Sequence, residues 1–194
     1  MPQTRARRAD ARRNVGALIE AARTVFATSG VDAPAKEITD LAGVGVGTLY
    51  RHFPQRSDLV KAVVESGIDA VADAGPALSA AHEPAEALTE WIRRFTELLA
   101  TKRGLASALH SGDPAFAELP RYFLQRLGPA LAALLGAAVA DGTVRGDISA
   151  EDLLHAITQL SQPVPGQGPE HNQRIVAVFI DGLRDRATRQ PPAP

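Results

Sequence analysis

Apolar residues recur at helical spacing along almost the whole chain. A stripe from Val15 to Phe26 follows the i, i+3, i+4, i+7 pattern of an amphipathic helix, and Gly30 ends that helix. Shorter stripes over 38–42 and 46–53 predict two brief helices separated by a tight turn. No segment alternates apolar and polar residues as a half-buried strand does. The pattern therefore predicts an all-α fold that begins with three helices.

Longer amphipathic stripes follow in the rest of the chain. Ser57 is the predicted N-cap of a helix over 57–72, which joins the first three helices to the remainder without a flexible linker. The last two long helices are predicted around 149–161 and 170–187, and Ser149 opens the first of them in a variant of the capping box. We therefore expect a small N-terminal helical domain connected through a helix to a larger helical domain.

Composition excludes several classes of protein. The 194 residues are 45% apolar and 22% charged, which is typical of a globular protein. The absence of cysteine excludes disulfides, thiolate zinc sites and a cysteine nucleophile. We find no stretch of the ~18–20 uncharged apolar residues that span a bilayer, and the arginine-rich start lacks the apolar core of a secretory signal. A cytoplasmic protein without a membrane partner is expected.

Charge is distributed unevenly along the chain. Residues 1–61 contain ten Lys/Arg against six Asp/Glu and carry a net charge of +4, whereas residues 62–194 contain eleven against sixteen and carry −5. A basic first third on an acidic remainder indicates that only the first part meets a polyanion.

The stretch GVGVGTLYRHF over 43–53 has two possible functions. A dinucleotide-binding fingerprint needs a third glycine where Thr48 stands and a strand before it, and a phosphate-binding P-loop needs a Gly-Lys-Ser/Thr ending that is absent. In a helix-turn-helix, Gly43 would end one helix and Gly45 would cap the next, with Val46, Leu49 and Phe53 facing the core. The pattern favours DNA binding, with a buried helical hairpin as the alternative.

The segment KEITDLAGVGVGTLYRHFPQRSDLVKAVV over 36–64, with the preceding ATSGVDAP, resembles the DNA-binding motif of the TetR family of bacterial transcriptional regulators. The resemblance implies a homodimer, in most members a repressor, whose variable all-α domain binds a small inducer. It divides the chain into a helix-turn-helix domain over 1–56 with a basic arm over 1–13, a ligand-binding and dimerisation domain over 57–188, and a disordered tail over 189–194.

The resemblance also implies roles for residues of the motif. Thr48 and Tyr50 are expected to reach DNA phosphates through their hydroxyls, while Val46 and Gly47 occupy positions that contact bases, by methyl contact and shape more than by hydrogen bonds. Three further DNA contacts are expected at Lys36, His52 and Arg56. The arm arginines are either a minor-groove or phosphate clamp or a disordered tail; they are Arg5, Arg7, Arg8, Arg12 and Arg13.

The C-terminal part offers weaker indications. Aromatic residues at helical spacing form either an inducer pocket or simply a core: Trp91, Phe95, Phe116, Tyr122 and Phe123. His110 is a further candidate ligand contact, and His155 and Gln159 share a helix face that meets either a ligand or the dimer partner. With His82 and Asp113, the histidines are too scattered to predict a metal site.

The sequence thus predicts a one-component regulator of a palindromic DNA operator, most simply a repressor released by a small molecule, that dimerises through its last two helices. No cofactor and no catalytic constellation is predicted, so an enzyme is not expected. The alternatives are an activator of the same fold and a helical ligand-binding or enzymatic bundle without DNA binding.

Overall fold

The computed structural model describes the backbone of residues 2–101 and 105–185, and the predicted tail over 189–194 lies outside these residues. The described residues are helical without any strand, which confirms the all-α prediction. The helices are α1 (Pro2–Ser29), α2 (Ala35–Ala42), α3 (Val46–His52), α4 (Arg56–Ala81), α5 (Pro84–Thr101), α6 (Ala106–Leu109), α7 (Leu119–Ala140), α8 (Ala150–Leu160) and α9 (Pro169–Asp185), with a 3-10 turn at Pro114–Phe116 before α7.

The chain forms two compact units. The N-terminal unit comprises residues up to 66 together with the segment up to 120 that includes α6, and the C-terminal unit comprises residues from 67 to the end of α5 together with residues from 121 onward. This division differs from the expected boundary after residue 56. The helix α4 runs without a break through both positions, and Phe116 is a buried residue of the N-terminal unit.

The N-terminal arm is helical where a flexible segment was expected. α1 begins at Pro2, so the backbone of residues 2–13 continues directly into the rest of that helix. This stretch is rich in alanine and arginine, both strong helix formers, and Arg13 forms an i, i+3 ion pair with Asp10. The expectation of a flexible arm is therefore wrong for the described backbone.

Burial follows the predicted apolar stripe closely in α1. Leu18, Ala22 and Phe26 are fully or almost fully buried. The stripe of α2 is narrower than the sequence suggested, because Ile38 is buried whereas Leu41 is 57% exposed. A helix of eight residues has only about two turns, and Ile38 together with the buried Thr39 anchors it.

The ends of two longer helices test the capping predictions. The Ser149 Oγ accepts a hydrogen bond from the Asp152 N–H at 3.0 Å, which confirms Ser149 as the N-cap of α8. Ser57 does not cap α4, because that helix already begins at Arg56. Instead the Asp58 carboxylate accepts a hydrogen bond from the Gln55 N–H at 2.9 Å.

The C-terminal unit has a core of aliphatic and aromatic residues. α5 contributes Trp91, Ile92 and Phe95, all fully buried, and α7 and α8 contribute further leucines. Among the described residues, the segment 114–140 alone is long and apolar enough, by composition, to cross a membrane. Its residues Leu127 and Leu131 are fully buried within the unit.

Candidate functional site

The connection between α2 and α3 is a tight turn fixed by two glycines. Gly43 ends α2 with φ 68° and ψ 30°, a left-handed conformation that residues with a Cβ adopt only at a cost. Its N–H and that of Val44 donate to carbonyls in the last turn of α2. Gly45 is extended and caps α3, whose Thr48 N–H donates to the Gly45 carbonyl at 2.8 Å. Both predicted glycine roles are present, and the two short helices form a helix-turn-helix.

Packing turns one face of α3 inward and leaves the other free. Leu49 and Phe53 are buried, as predicted, at i, i+4 spacing. Val46 was also expected in the core, but it is 39% exposed. As the first residue of α3 its Cβ points back past the end of the helix, away from the buried contact that Leu49 makes. The core prediction for Val46 is therefore wrong.

The outward face of α3 brings together most of the predicted DNA contacts. Val46, Gly47 and Tyr50 are exposed, and Thr48 and His52 are half-buried beside them. No atom lies within 4 Å of the position that a Cβ on Gly47 would occupy, so that face of the helix is open. The result is a small surface with hydroxyl, imidazole and methyl groups and no acidic side chain within α3.

Two predicted cations have different environments. The Lys36 Nζ lies on the exposed side of α2 and pairs with the Asp40 carboxylate at 2.7 Å. The Arg56 guanidinium donates to the Val31 carbonyl at 2.6 Å and to the Ala33 carbonyl at 2.5 Å, and it lies over the ring of Phe26. Arg56 thus fastens the start of α4 to the connection between α1 and α2.

The predicted pocket residues have different environments. Trp91 and Phe95 are fully buried, with ring centroids 5.7 Å apart, and the Phe95 and Phe123 centroids are 5.6 Å apart. His155 and Gln159 are exposed on α8. Exposed His110 and buried Phe116 belong to the N-terminal unit.

A polar network that the sequence analysis missed joins α4 to α7 inside the C-terminal unit. The Asp69 carboxylate accepts from the Tyr122 hydroxyl at 2.7 Å and from the Arg126 Nε at 2.6 Å, and Asp73 accepts from the Arg126 Nη2 at 2.7 Å. The hydrogen bonds to these carboxylates, first that to Asp69, raise the pKa of Arg126. The sequence contained one sign of this network: Asp69 and Asp73 are spaced i, i+4, and so are their partners Tyr122 and Arg126.

A cleft of about 240 Å³ separates α5 from α9. It is lined by Thr89 and Thr96 of α5, by Gln173 of α9 and by apolar and charged neighbours on the same helices. None of the predicted pocket residues lines this cleft. Sequence gave no signal for it, because the two helices lie about 80 residues apart along the chain.

Family models cover both units. The model described as bacterial regulatory proteins, tetR family, matches residues 18–63, and that of the C-terminal domain of SbtR-like transcriptional regulators matches residues 83–185. A solved TetR transcriptional regulator from Streptomyces coelicolor is 34% identical, with 92% of this chain and 99% of that one covered and a TM-score of 0.74. The chain belongs to the TetR family. It is thus a TetR-family transcriptional regulator, as the motif resemblance implied.

Other TetR-type structures extend the comparison. A TetR transcription regulatory protein from Mycobacterium vanbaalenii is 36% identical, with 91% of this chain and 98% of that one covered and a TM-score of 0.71. RolR, solved with resorcinol, shares the fold at 24% identity and a TM-score of 0.54, with 95% and 98% covered. No curated protein matches the sequence. TetR-family regulators bind DNA operators and small-molecule ligands, usually as dimers.

Proposed function

We propose that this TetR-family regulator is a homodimeric repressor, which binds a near-palindromic operator through α3 and releases it when a small molecule enters the C-terminal unit. The open outward face of α3, set by Gly43 and Gly45, carries the proposal. A helix-turn-helix inserts the N-terminal part of its second helix into the major groove, and this is the part of α3 that is open.

DNA contacts divide between phosphates and bases. The hydroxyls of Thr48 and Tyr50 suit phosphate oxygens, and so do Lys36 and His52 at the edges of the motif. Arg56 also has a structural role, because its guanidinium donates to two backbone carbonyls and holds the motif in shape. Its phosphate contact, which the resemblance implied, stays a prediction and would use the remaining N–H groups of the guanidinium.

Base recognition falls to Val46 and Gly47. Neither side chain donates or accepts a hydrogen bond, so recognition there depends on apolar contact with the C5-methyl group of thymine and on close approach of the helix. The exposed Val46 and the open space around Gly47 support this assignment. We infer that each half-site presents a thymine to Val46.

Dimerisation is required by the size of the motif. One seven-residue helix contacts few bases, and two half-sites about one helical turn apart, ~34 Å, need two linked copies. An exposed stripe on α9 at i, i+3, i+7 suits the partner subunit and contains Ile175, Val178 and Gly182. The exposed His155 and Gln159 on α8 suit the border of the same interface better than a ligand pocket. The last two helices thus remain the proposed dimer contact.

Ligand response requires a path to the DNA-binding helices. α4 begins at Arg56 beside the motif and continues to Ala81, and Asp69 and Asp73 on its second half are held by Arg126 of α7. A ligand that moves α7 therefore moves the attachment of α4. It acts by favouring a spacing of the two α3 helices that does not fit the operator. RolR, of the same fold, is a resorcinol complex and supports a small-molecule effector.

The test is a reporter gene under the chain's own upstream intergenic DNA, in a host without other copies of the regulator. A repressor lowers expression when the wild-type chain is present, and a Tyr50→Phe, Thr48→Ala double variant relieves that repression. Raised expression with the wild-type chain identifies the alternative, an activator. Unchanged expression with both chains, together with no binding of the purified protein to that DNA or to duplexes selected from random sequences, contradicts the proposal.

A further inference from the structure

The cleft between α5 and α9 has an apolar floor and a charged rim. The buried Val176 and Ile180 of α9 form the floor, and the exposed Ala177 lies at its edge. Arg93, Glu97 and Asp181 stand at the rim. Its volume of about 240 Å³ lies just below the usual range for ligand pockets. A water molecule's share of liquid volume is about 30 Å³, so the cleft has room for roughly eight heavy atoms. An occupant must be compact and largely apolar.

The rim is negative. Arg93 is the single cation among the lining residues, and its guanidinium donates to Glu90 and to Glu97. The Arg184 guanidinium, next to the cleft, donates to the Thr89 hydroxyl and to the Ala85 carbonyl. The positive charge of Arg93 is therefore already neutralised by the carboxylates of Glu90 and Glu97 when the cleft is empty. Asp181, on the opposite side, has no ion-pair partner among residues 2–101 and 105–185. An incoming cation would pair with Asp181, whereas an anion would meet two carboxylates.

The cleft is distinct from the proposed dimer surface. Gln173, Ala177 and Asp181 follow one another at i, i+4, i+8 and form the α9 edge of the cleft. The exposed stripe that begins with Ile175 and Val178 lies roughly 100–140° further round the same helix, by the 100° step of an α-helix. The cleft and the proposed dimer surface therefore lie on different faces of α9.

We propose that this cleft binds a compact organic cation, with an aliphatic or cyclic body on the floor of α9 and a protonated amine at Asp181. As the effector of the regulator, such an amine would shift α9 relative to α5. That part of the inference rests on the proposed function, whereas binding itself does not. The charge complementarity at the rim and the apolar floor select this ligand class over acids and sugars.

Calorimetric titration of the purified full chain without DNA tests the binding. The probes are n-octylamine, n-octanol and n-octanoate, which share one alkyl chain and differ in the charge of the head group. We expect the amine to bind more tightly than the alcohol and the acid not to bind detectably. Asp181→Asn should lower the affinity for the amine about three- to fivefold, which is the range expected for an exposed ion pair. The affinity for the alcohol should not change. Asp141→Asn, an exposed acid just after α7 and outside the cleft, is the matched control.

A second experiment fills the cleft with a larger side chain. Ala177→Leu places three additional carbons at the edge of the floor and should reduce amine affinity at least tenfold, with the melting temperature showing that the variant is folded. Equal binding of the three probes, or unchanged amine binding in Ala177→Leu, overturns the proposal. A shift of Ala177→Leu from dimer to monomer in sedimentation also overturns it, because the cleft would then be a subunit contact. If the amine binds but the affinity for the operator does not change, the cleft is a binding site but not the effector site.

Discussion

Two pairs of helices carry the proposed functions, and they are built differently. The α2–α3 pair is short, eight and seven residues, and backbone geometry within a few residues fixes its turn. The α5–α9 pair is longer, eighteen and seventeen residues, and its members meet only because the chain between them folds back. The proposed DNA-binding surface is therefore a local property of the chain, whereas the proposed ligand cleft is a property of the assembled unit.

That difference determines which substitutions matter. In the α2–α3 pair, changes at glycines alter the direction of a helix and hence its function with little loss of packing. In the C-terminal unit the aromatic residues fill space, so their truncation should unfold the unit before it alters any ligand contact.

The largest expected effect comes from Phe95→Ala. Phe95 is fully buried against Trp91 and Phe123, so truncation should lower the free energy of unfolding by about 3–5 kcal/mol. Urea denaturation measures this change. His155→Ala, at an exposed site, should remain within about 0.5 kcal/mol of wild type. A Phe95→Ala variant as stable as His155→Ala would show that Phe95 lines a pocket. The contrast between the α2–α3 pair and a tightly packed C-terminal unit would then be lost.

Two alanine substitutions distinguish the role of Gly43 in the turn from the role of Gly47 in the close approach of α3 to DNA. Gly43→Ala places a Cβ at positive φ and should cost about 1–2 kcal/mol. Gly47→Ala lies in a helix with open space around it and should stabilise the fold by about 0.5–1 kcal/mol, yet weaken operator binding because the helix can no longer approach the bases as closely. Urea denaturation and fluorescence anisotropy with labelled operator provide the two readouts. A Gly47→Ala variant that is more stable and also binds the operator as tightly as wild type, or more tightly, would contradict the contact between Gly47 and DNA.

A smaller effect tests recognition by Val46. Replacing the contacted thymine by uracil removes one methyl group, which at about 0.8 kcal/mol corresponds to about a fourfold loss of affinity. Val46→Ala should be nearly insensitive to that replacement, because its side chain no longer reaches the methyl group. Anisotropy with a set of duplexes, each carrying one uracil, gives the measurement. Equal sensitivity of the two proteins at every position would rule out this contact.

The smallest effect concerns the ion pairs of α5. The hydrogen bond from Arg93 lowers the pKa of Glu90 from 4.5 to about 2. Because the folded-state pKa is depressed, the stabilisation is present above pH 4.5 and is lost as the pH falls toward about 2. Glu90→Gln should lower the free energy of unfolding by about 0.5 kcal/mol at neutral pH, as partly exposed helix pairs do, and this difference should shrink as the pH falls through about 2. Urea denaturation across this pH range tests it, and a constant difference between the proteins would exclude the ion pair as its source.

The sequence predicted local features well. Helical periodicity indicated the all-α fold, and the glycines indicated the turn and the cap of α3, because φ preferences act within single residues. Val46 was wrongly placed in the core because periodicity does not register where a helix ends. The contacts of Arg56 with the carbonyls of Val31 and Ala33 were not predicted, because backbone groups leave no trace in side-chain patterns.

Features that depend on distant contacts were not predictable. The aromatic residues of α5 satisfy the pattern of a core and of a pocket equally well, and only packing shows that Trp91 and Phe95 are buried. The link from Arg126 to Asp69 spans 57 residues, and the cleft needs α9 beside α5. The motif resemblance supplied what spacing alone did not, namely the assignment of the outward face of α3 to DNA.

The most direct test of the central claim is operator affinity across a salt series, for the wild-type chain and for the Tyr50→Phe, Thr48→Ala double variant. Each phosphate contact contributes about −0.9 to the slope of log affinity against log salt. We predict steeply salt-dependent, sequence-specific binding by the wild-type chain. The double variant should bind about tenfold or more weakly, since two hydrogen bonds of about 1 kcal/mol each are lost, with an unchanged melting temperature. Equal affinity and equal slope for the two proteins would contradict the assignment of α3 as the DNA-binding helix.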